Sequence, residues 1–216
     1  MRIISFVTQK GGSGKSTLAS CVAAAAAEAG ERVFIIDMDR LGTLLNWSKA
    51  RGEKDIPVEA VPAGKLPAVL NALAKKGVTL TIIDTPGAEE AAVLAAAKAA
   101  DLCIVPARPN AFDLWASERT RKAIRSVRGE YAFLLNQCPP AQQNARVEAG
   151  AVALEAMGGM LTPMISARVD YQEAARNGLG VTEYAPSGAA SEEIHALWAS
   201  IKRRLNKLGK TNRKAA

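Results

Sequence analysis

The chain has 216 residues, of which 49% are apolar and 23% charged, with a formal net charge of +7. That length can bury a sizeable core, and the apolar fraction excludes a disordered chain. Apolar runs such as 21–27 and 91–97 fall far short of the ~20 residues a membrane span needs, and the strand-like opening Ile3-Ile4-Ser5-Phe6-Val7 predicts no secretory leader.

Strand-like and helix-like segments alternate along the chain. Short β-branched or apolar runs predict strands at 2–8, 32–37, 57–61, 78–84, 102–106, 131–136 and 160–165. Between them, mostly alanine-rich stretches predict helices at 15–29, 43–50, 66–76, 89–100, 114–128 and 145–157. A short helix near 171–177 and a longer one from 189 to about 208 close the chain. Such alternation predicts an α/β fold, a mainly parallel twisted sheet of about seven strands with helices on both faces. No linker or repeat divides it. We expect one domain over residues 1–205 and a basic tail over 206–216. Cys21, Cys103 and Cys138 sit in apolar surroundings without CxxC spacing, which fits buried thiols in a reducing compartment rather than a disulfide framework or zinc site. His195, the single histidine, cannot build a His-rich metal site. Trp47, Trp115 and Trp198 are read as core or interface anchors.

Lys10-Gly-Gly-Ser-Gly-Lys-Ser16 follows the first strand and opens the first helix. Gly11, Gly12, Ser13 and Gly14 let backbone N–H groups curl around phosphate oxygens, and the helix amino terminus adds its positive dipole end. Lys15 is placed for the β- and γ-phosphates, the Ser16 hydroxyl for Mg²⁺, and Thr17 for the α-phosphate. Motif and strand–turn–helix context together predict a P-loop nucleotide site.

Carboxylates end two strands. Val33-Phe-Ile-Ile-Asp37-Met-Asp39 carries acids at i and i+2, and Thr81-Ile-Ile-Asp84-Thr-Pro-Gly87 carries one more. Such positions face the crevice where open α/β sheets bind ligands. Asp84 fits the acid that holds Mg²⁺. Either Asp37 or Asp39 could instead cap the helix that follows. Tyr131-Ala-Phe-Leu-Leu-Asn136 ends in an amide that offers donor and acceptor to a base edge, or serves as a strand-end turn residue.

The strict phosphate-loop pattern would place its first glycine at Gln9, and an extra lysine, Lys10, opens the loop instead. This K-G-G-x-G-K-[ST] form resembles the deviant Walker A ATPases, which include the ParA and MinD partition and positioning proteins, arsenite-pump ATPases and nitrogenase iron protein. The resemblance covers nearly the whole chain and points to short ParA forms without an N-terminal helix-turn-helix domain. It rests further on Leu44–Lys49, Val105–Leu114 and Ala174–Glu183. It implies ATP and Mg²⁺ as cofactors and a face-to-face homodimer in which Lys10 reaches the partner's nucleotide. Asp37 would lie near the metal, Asp39 would position the attacking water, and Asn136 would sit beside the base. Residues 160–168 would wall off the adenine. It also implies non-specific DNA binding, hydrolysis stimulated by a centromere-binding or cargo-adaptor protein, and a cytoplasmic, nucleoid-associated location. The family's usual Asp-x-Asp-Pro-Gln reads Asp39-Arg40-Leu41 here, which removes a rigid turn and an amide near the phosphates and bears on the hydrolysis rate. The cysteines lack the spacing of an iron–sulfur site.

Arg121, Arg125 and Arg128 fall at i, i+4 and i+7, which predicts one helical face, either a DNA contact or a solvated surface. After Glu193 no acid occurs, while Lys202, Arg203, Arg204, Lys207, Lys210, Arg213 and Lys214 supply the chain's whole formal excess. That asymmetry suggests contact with nucleic acid or another anionic surface, or a solubilising end. The apolar stripe Ile194, Leu197, Trp198, Ile201, Leu205 and Leu208 suits a final helix packed on the sheet. A MinD-like helix lying on lipid is the alternative, as is a metabolic ATP-dependent ligase or synthetase on the same fold.

Overall fold

The computed structural model describes residues 1–52, 55–87, 89–140 and 145–215, with backbone alone for 210–215. Six strands, β1 (Arg2–Phe6), β2 (Val33–Asp37), β3 (Val58–Ala60), β4 (Leu80–Asp84), β5 (Leu102–Ala107) and β6 (Tyr131–Leu135), form one sheet in the order β3-β2-β4-β1-β5-β6. Every pairing is parallel.

The helices are α1 (Lys15–Glu28), α2 (Thr43–Arg51), α3 (Leu66–Lys75), α4 (Glu90–Ala99), α5 (Ala111–Ser126), α6 (Ala145–Gly158), α7 (Asp170–Arg176), α8 (Val181–Tyr184) and α9 (Ala189–Ala215). They cover both faces, which is why the strands read as continuous apolar runs. Alternate residues of each strand feed opposite cores. Ile4, Phe6, Ile35, Ile82, Ile104 and Leu134 face α1, α2 and α7–α9. Val7, Ile36, Ile83, Val105, Phe133 and Leu135 face α3–α6.

The expected seventh strand over 160–165 is not a strand. Leu161 N–H donates to Phe133 O at 2.8 Å and Ile165 N–H to Leu135 O at 2.9 Å, but only isolated bridges form, at Met160 and Ser166. Pro163 lies between them and has no N–H to continue a ladder. Helix α5 starts three residues before its expected first residue, because Asn110 Oδ1 accepts Asp113 N–H at 3.0 Å and caps it. It also ends early, at Ser126, and Arg128 follows in a left-handed conformation at φ 57°. Arg128 therefore does not share a helical face with Arg121 and Arg125.

On α9, the side chains of Ile194, Leu197, Trp198, Ile201 and Leu205 are buried in the core that contains α1, with Leu208 packed against it. The stripe is thus spent on the helix layer that covers α1, as a packed final helix requires and a lipid-lying helix would not allow. No helix of the described residues is long and apolar enough to cross a membrane. Replacing the fully buried Ile201 by Ala should cost about 2–4 kcal/mol, from the buried carbons removed and the cavity they leave. Denaturant unfolding measures this, and a cost below about 0.5 kcal/mol would mean the stripe is not packed as described.

Candidate nucleotide site

The first strand delivers its chain to the carboxyl edge of the sheet, and residues 8–14 turn there into α1. Gly14 holds the amino-terminal cap position at φ 90°, and α1 has neither a capping side chain nor an acidic residue in its first turn. Its leading N–H groups are thus left for an anion. A Cβ on Gly14 would collide with the Asn136 amide, so only glycine fits beneath it. Asn136 Nδ2 donates to Ser13 O at 2.7 Å, and Gln137 Nε2 donates to Gly12 O at 3.2 Å. On the other side of the loop, Gln9 N–H donates to the buried Thr120 hydroxyl at 3.1 Å. These three braces come from residues more than a hundred positions away, and only Asn136 carried a sequence signal.

Two hollows flank the loop. One, of about 720 Å³, is lined by Gly11, Gly12, Lys15, Ser16, Asp39 and Gly87, with Arg40 and Leu41 at its edge. The other, of about 400 Å³, is lined by Asn136, Ile165, Arg168, Tyr171 and Gln172. Gly14 and Thr17 line both, so the hollows adjoin across the start of α1. Loop 165–172, which walls the second, is fastened to α9. Glu193 accepts from Ser166 Oγ at 2.8 Å, Arg168 Nη2 at 2.8 Å and the Tyr171 hydroxyl at 3.1 Å.

Beneath the first hollow, Ser16 Oγ donates to Asp84 Oδ2 at 2.6 Å. Asp84 is fully buried, and its Oδ1 has no partner among the described residues. Burial pushes its carboxyl up to about 7, against the Ser16 hydrogen bond and the nearby Lys15 charge, which favour ionisation. Lys15, 8% exposed, is held below the usual ammonium range by burial, with Asp84 and Asp39 opposing. Its Nζ donates to Lys10 O at 3.4 Å. No group of three or more His, Cys, Asp or Glu side chains among the described residues could hold a metal. Ser16 and the unpartnered oxygen of Asp84 fit Mg²⁺, an oxygen-seeking ion that keeps several waters and takes phosphate oxygens.

The paired acids divide their work differently from the resemblance. Both Asp37 oxygens are engaged by backbone. Oδ1 accepts Asp39 N–H at 3.0 Å, and Oδ2 accepts Leu44 and Leu45 N–H at 3.0 and 3.3 Å. Asp37 thus caps the start of α2, the alternative raised by the sequence, while its place opposite Asp84 in the sheet keeps its charge close to that carboxyl. Asp39 lines the first hollow and accepts Leu41 N–H at 3.0 Å.

The candidate DNA residues fall on α5, on the turn after it and on α9. Arg121 is tied to Glu118 at 2.8 and 3.0 Å and to Met157 O at 3.4 Å. Arg125, Arg128 and Lys207 are described residues on the rest of the surface, Arg125 near the end of α5, Arg128 in the turn after it and Lys207 on α9. Lys210, Arg213 and Lys214 lie outside the residues whose side chains are described.

Fold and site together define a P-loop nucleotide-binding protein with a doubly wound sheet. Residues 1–157 match the AAA domain family, and the chain belongs to that family, within its ParA/MinD-like ATPases. It is 29% identical over 198 residues to the maintenance of carboxysome distribution protein A of Halothiobacillus neapolitanus, covering 87% of this chain and 90% of the relative. It is 30% identical over 195 residues to the protein of that name from Gloeobacter kilaueensis, covering 89% of each. Among solved structures, the septum site-determining protein MinD of Pyrococcus horikoshii, complexed with Mg-ADP, superposes with a TM-score of 0.74 at 19% identity, over 96% of this chain and 98% of that one.

The carboxyl of Asp84 has a pH consequence. Because its folded value lies above the ordinary 3.8, the folded state keeps a proton that the unfolded state has lost. Stability of the nucleotide-free protein therefore falls as pH rises from about 4 to about 7. Asp84→Asn removes that loss, so at pH 8 the free variant should be more stable by about 1–3 kcal/mol, while Mg²⁺ no longer strengthens nucleotide binding. Thermal unfolding at pH 5 and pH 8, with ATP titrations with and without Mg²⁺, checks both parts.

Proposed function

We propose that this chain is an ATP-driven positioning switch. ATP with Mg²⁺ occupies the two adjoining hollows, with the triphosphate over Gly11–Thr17 and the base beside Asn136. Lys15 neutralises the β- and γ-phosphates, Ser16 and Asp84 hold the ion, and the ion would draw charge off the reacting phosphate. Two loaded copies close face to face, and Lys10 of each reaches the other's nucleotide. Asp39 orients the water for hydrolysis to ADP and phosphate, which reopens the pair. The loaded dimer binds DNA without sequence preference, and an adaptor protein on a cargo stimulates hydrolysis. Both relatives are named for carboxysome distribution, which supports positioning of a protein cargo over DNA partition.

The observation that carries this reading is the buried Ser16–Asp84 pair under an uncapped helix start, with one oxygen of Asp84 unpartnered. It supplies a phosphate cradle and a cation position together. Size-exclusion chromatography with ATP and Mg²⁺ tests the reading. Asp39→Ala should bind ATP, dimerise and stay dimeric because hydrolysis stalls. Lys10→Ala should lower dimer formation and hydrolysis at least tenfold while ATP affinity changes less than about threefold. A monomeric, rapidly hydrolysing Asp39→Ala would overturn the role given to that residue.

The DNA part has its own test. Each cation taken away from a DNA phosphate should flatten the log–log salt dependence of binding by about 0.9. Removing residues 210–216 keeps Leu208 on the core and deletes Lys210, Arg213 and Lys214. The truncated chain should fold and bind ATP normally, with weaker DNA binding and a shallower salt slope by electrophoretic shift. An unchanged slope would remove these cations from the DNA site.

A further inference from the structure

Large apolar side chains seldom stand in solvent as a group without a partner. Two of the exposed ones line the nucleotide cleft, and two more form a pair beside Lys10 at the start of the phosphate loop. Leu41, 80% exposed, is at the edge of the phosphate hollow, and Val169, 67% exposed, is at the edge of the base hollow. Phe112 and Trp115, 68% and 66% exposed, stand in the first turns of α5. Their rings meet edge to face, with centroids 5.6 Å apart and planes at 86°. The Lys10 Nζ lies 5.6 Å from the centroid of the Phe112 ring. Among the described residues Lys10 makes no ion pair, and its ammonium rests on the aromatic face instead.

We propose that Phe112 and Trp115 are the apolar anchor of the contact between two copies of this chain, and that Lys10, held over Phe112 in the single copy, passes to the partner's nucleotide when that anchor is covered. The inference rests on the face-to-face reading and adds its residues and its order of events. The argument for a second copy as occupant is one of charge and position. Leu41 and Val169 line the cleft, and the aromatic pair stands beside Lys10 at the start of the phosphate loop. A bound triphosphate would make the cleft anionic, while Lys10 at its side stays cationic without a carboxylate. A two-fold contact brings each anionic cleft to the other's lysine, which is the self-complementarity an isologous interface needs. Aromatic pairs with fixed geometry are the usual anchors of such interfaces, since they bury large area with little loss of side-chain freedom. The cation–π contact also explains how Lys10 is kept close to the interface yet unspent, because an ammonium over a ring is held weakly in water and a phosphate outcompetes the ring.

Tryptophan fluorescence reads this surface directly. Trp47 and Trp198 are each 5% exposed, so iodide quenches chiefly Trp115. With a slowly hydrolysed ATP analogue and Mg²⁺, quenching of the wild-type chain should fall as protein concentration rises, and ADP should leave it unchanged. Trp115→Asp should bind the analogue within about threefold of wild type, yet self-associate at least about 30-fold more weakly in sedimentation velocity. Phe112→Leu should keep most of the association, and Phe112→Ala should lose it as Trp115→Asp does. Equal melting temperatures and circular dichroism spectra establish that the variants fold. A wild-type chain that dimerises with Trp115 still quenched, or a Trp115→Asp chain that dimerises normally, overturns the anchor and leaves the face-to-face reading standing. A loaded wild-type chain that stays monomeric at every concentration overturns both. Protection of Trp115 that requires added DNA or anionic vesicles, with no change in mass from self-association, also overturns the proposal and assigns the surface to that partner.

Discussion

The burial of α1 on every side is the constraint on which the rest depends. Leu18 through Ala26 are buried without interruption, between the sheet and the layer of α7, α8 and α9. A helix apolar all round has no solvent face along which to slide. Alanine makes this possible, since its small side chain lets neighbours approach closely. A Cβ on Gly180 would collide with Ala24, so even the next helix start is fitted to α1. With α1 fixed, its amino end is fixed against the edge of β1, and the loop before it has nowhere to drift. Asn136, Gln137 and Thr120 then pin the loop from β6 and α5. Phosphate binding by backbone N–H groups needs this, because those groups act only if they converge before the ligand arrives.

The segment from the end of β2 through α2 is anchored at both ends. At one end Asp37 takes N–H groups from both its own loop and α2. At the other, the Arg51 guanidinium, 5% exposed, is shared by Asp55 and Glu183 at 2.6 Å each and by Gly178 O at 3.2 Å. Both carboxylates are partly exposed, so this lock fixes geometry more than it adds stability. Between the two ends, Arg40 and Leu41 are exposed at the cleft mouth. In place of the proline and glutamine that the resemblance leads one to expect, this stretch turns on Asp39, whose carbonyl accepts Gly42 N–H and whose carboxylate accepts Leu41 N–H, each at 3.0 Å.

How much of this the sequence revealed follows from how local each signal is. The loop Lys10–Ser16 was legible because its seven residues are contiguous and their chemistry is set by their own spacing. The sheet was legible because strands buried on both faces must be apolar throughout, and the alternation with helices left a parallel arrangement as the simple solution. Asp84 was legible from its place at a strand end, although its unpartnered oxygen was not. The braces from Gln137 and Thr120 were not legible, since nothing near them in sequence marks a partner more than a hundred residues away. The Arg51 lock was hidden for the same reason. Residues 160–165 looked like a strand because composition reports apolarity, whereas a ladder needs an N–H that Pro163 lacks. The arginine stripe failed at a helix end. Its periodicity continues past Ser126, but the chain turns left-handed at Arg128.

Burial opposes the charges at the cleft floor. Burial pushes Asp84 and Asp37 up and Lys15 down, so each group is driven towards its neutral form. Evolution could have relieved this by exposing them or pairing them more fully, and the structure does neither. In the proposed function a phosphate group would satisfy the lysine and a divalent cation the unpartnered Asp84 oxygen, so that binding would offset the cost of burying both charges. The free energy released is tied to the occupied state alone, which is what a ligand needs in order to shift one conformation over another. It also has a short route outward. Met38 N–H donates to Asp84 O at 2.9 Å, and Asp39 N–H donates to Asp37. The backbone that leaves β2 is thereby tied through Met38 to the main chain of β4 and through Asp39 to the Asp37 carboxylate, and two residues past Asp39 it reaches the exposed Leu41. On the other side, a Cβ on Gly87 would come within 3.1 Å of Gly11 N, so the turn after Asp84 lies against the phosphate loop itself. The segments on either side of Asp84 thus lie at the cleft mouth, which is where a second molecule would have to detect whether the cleft is filled.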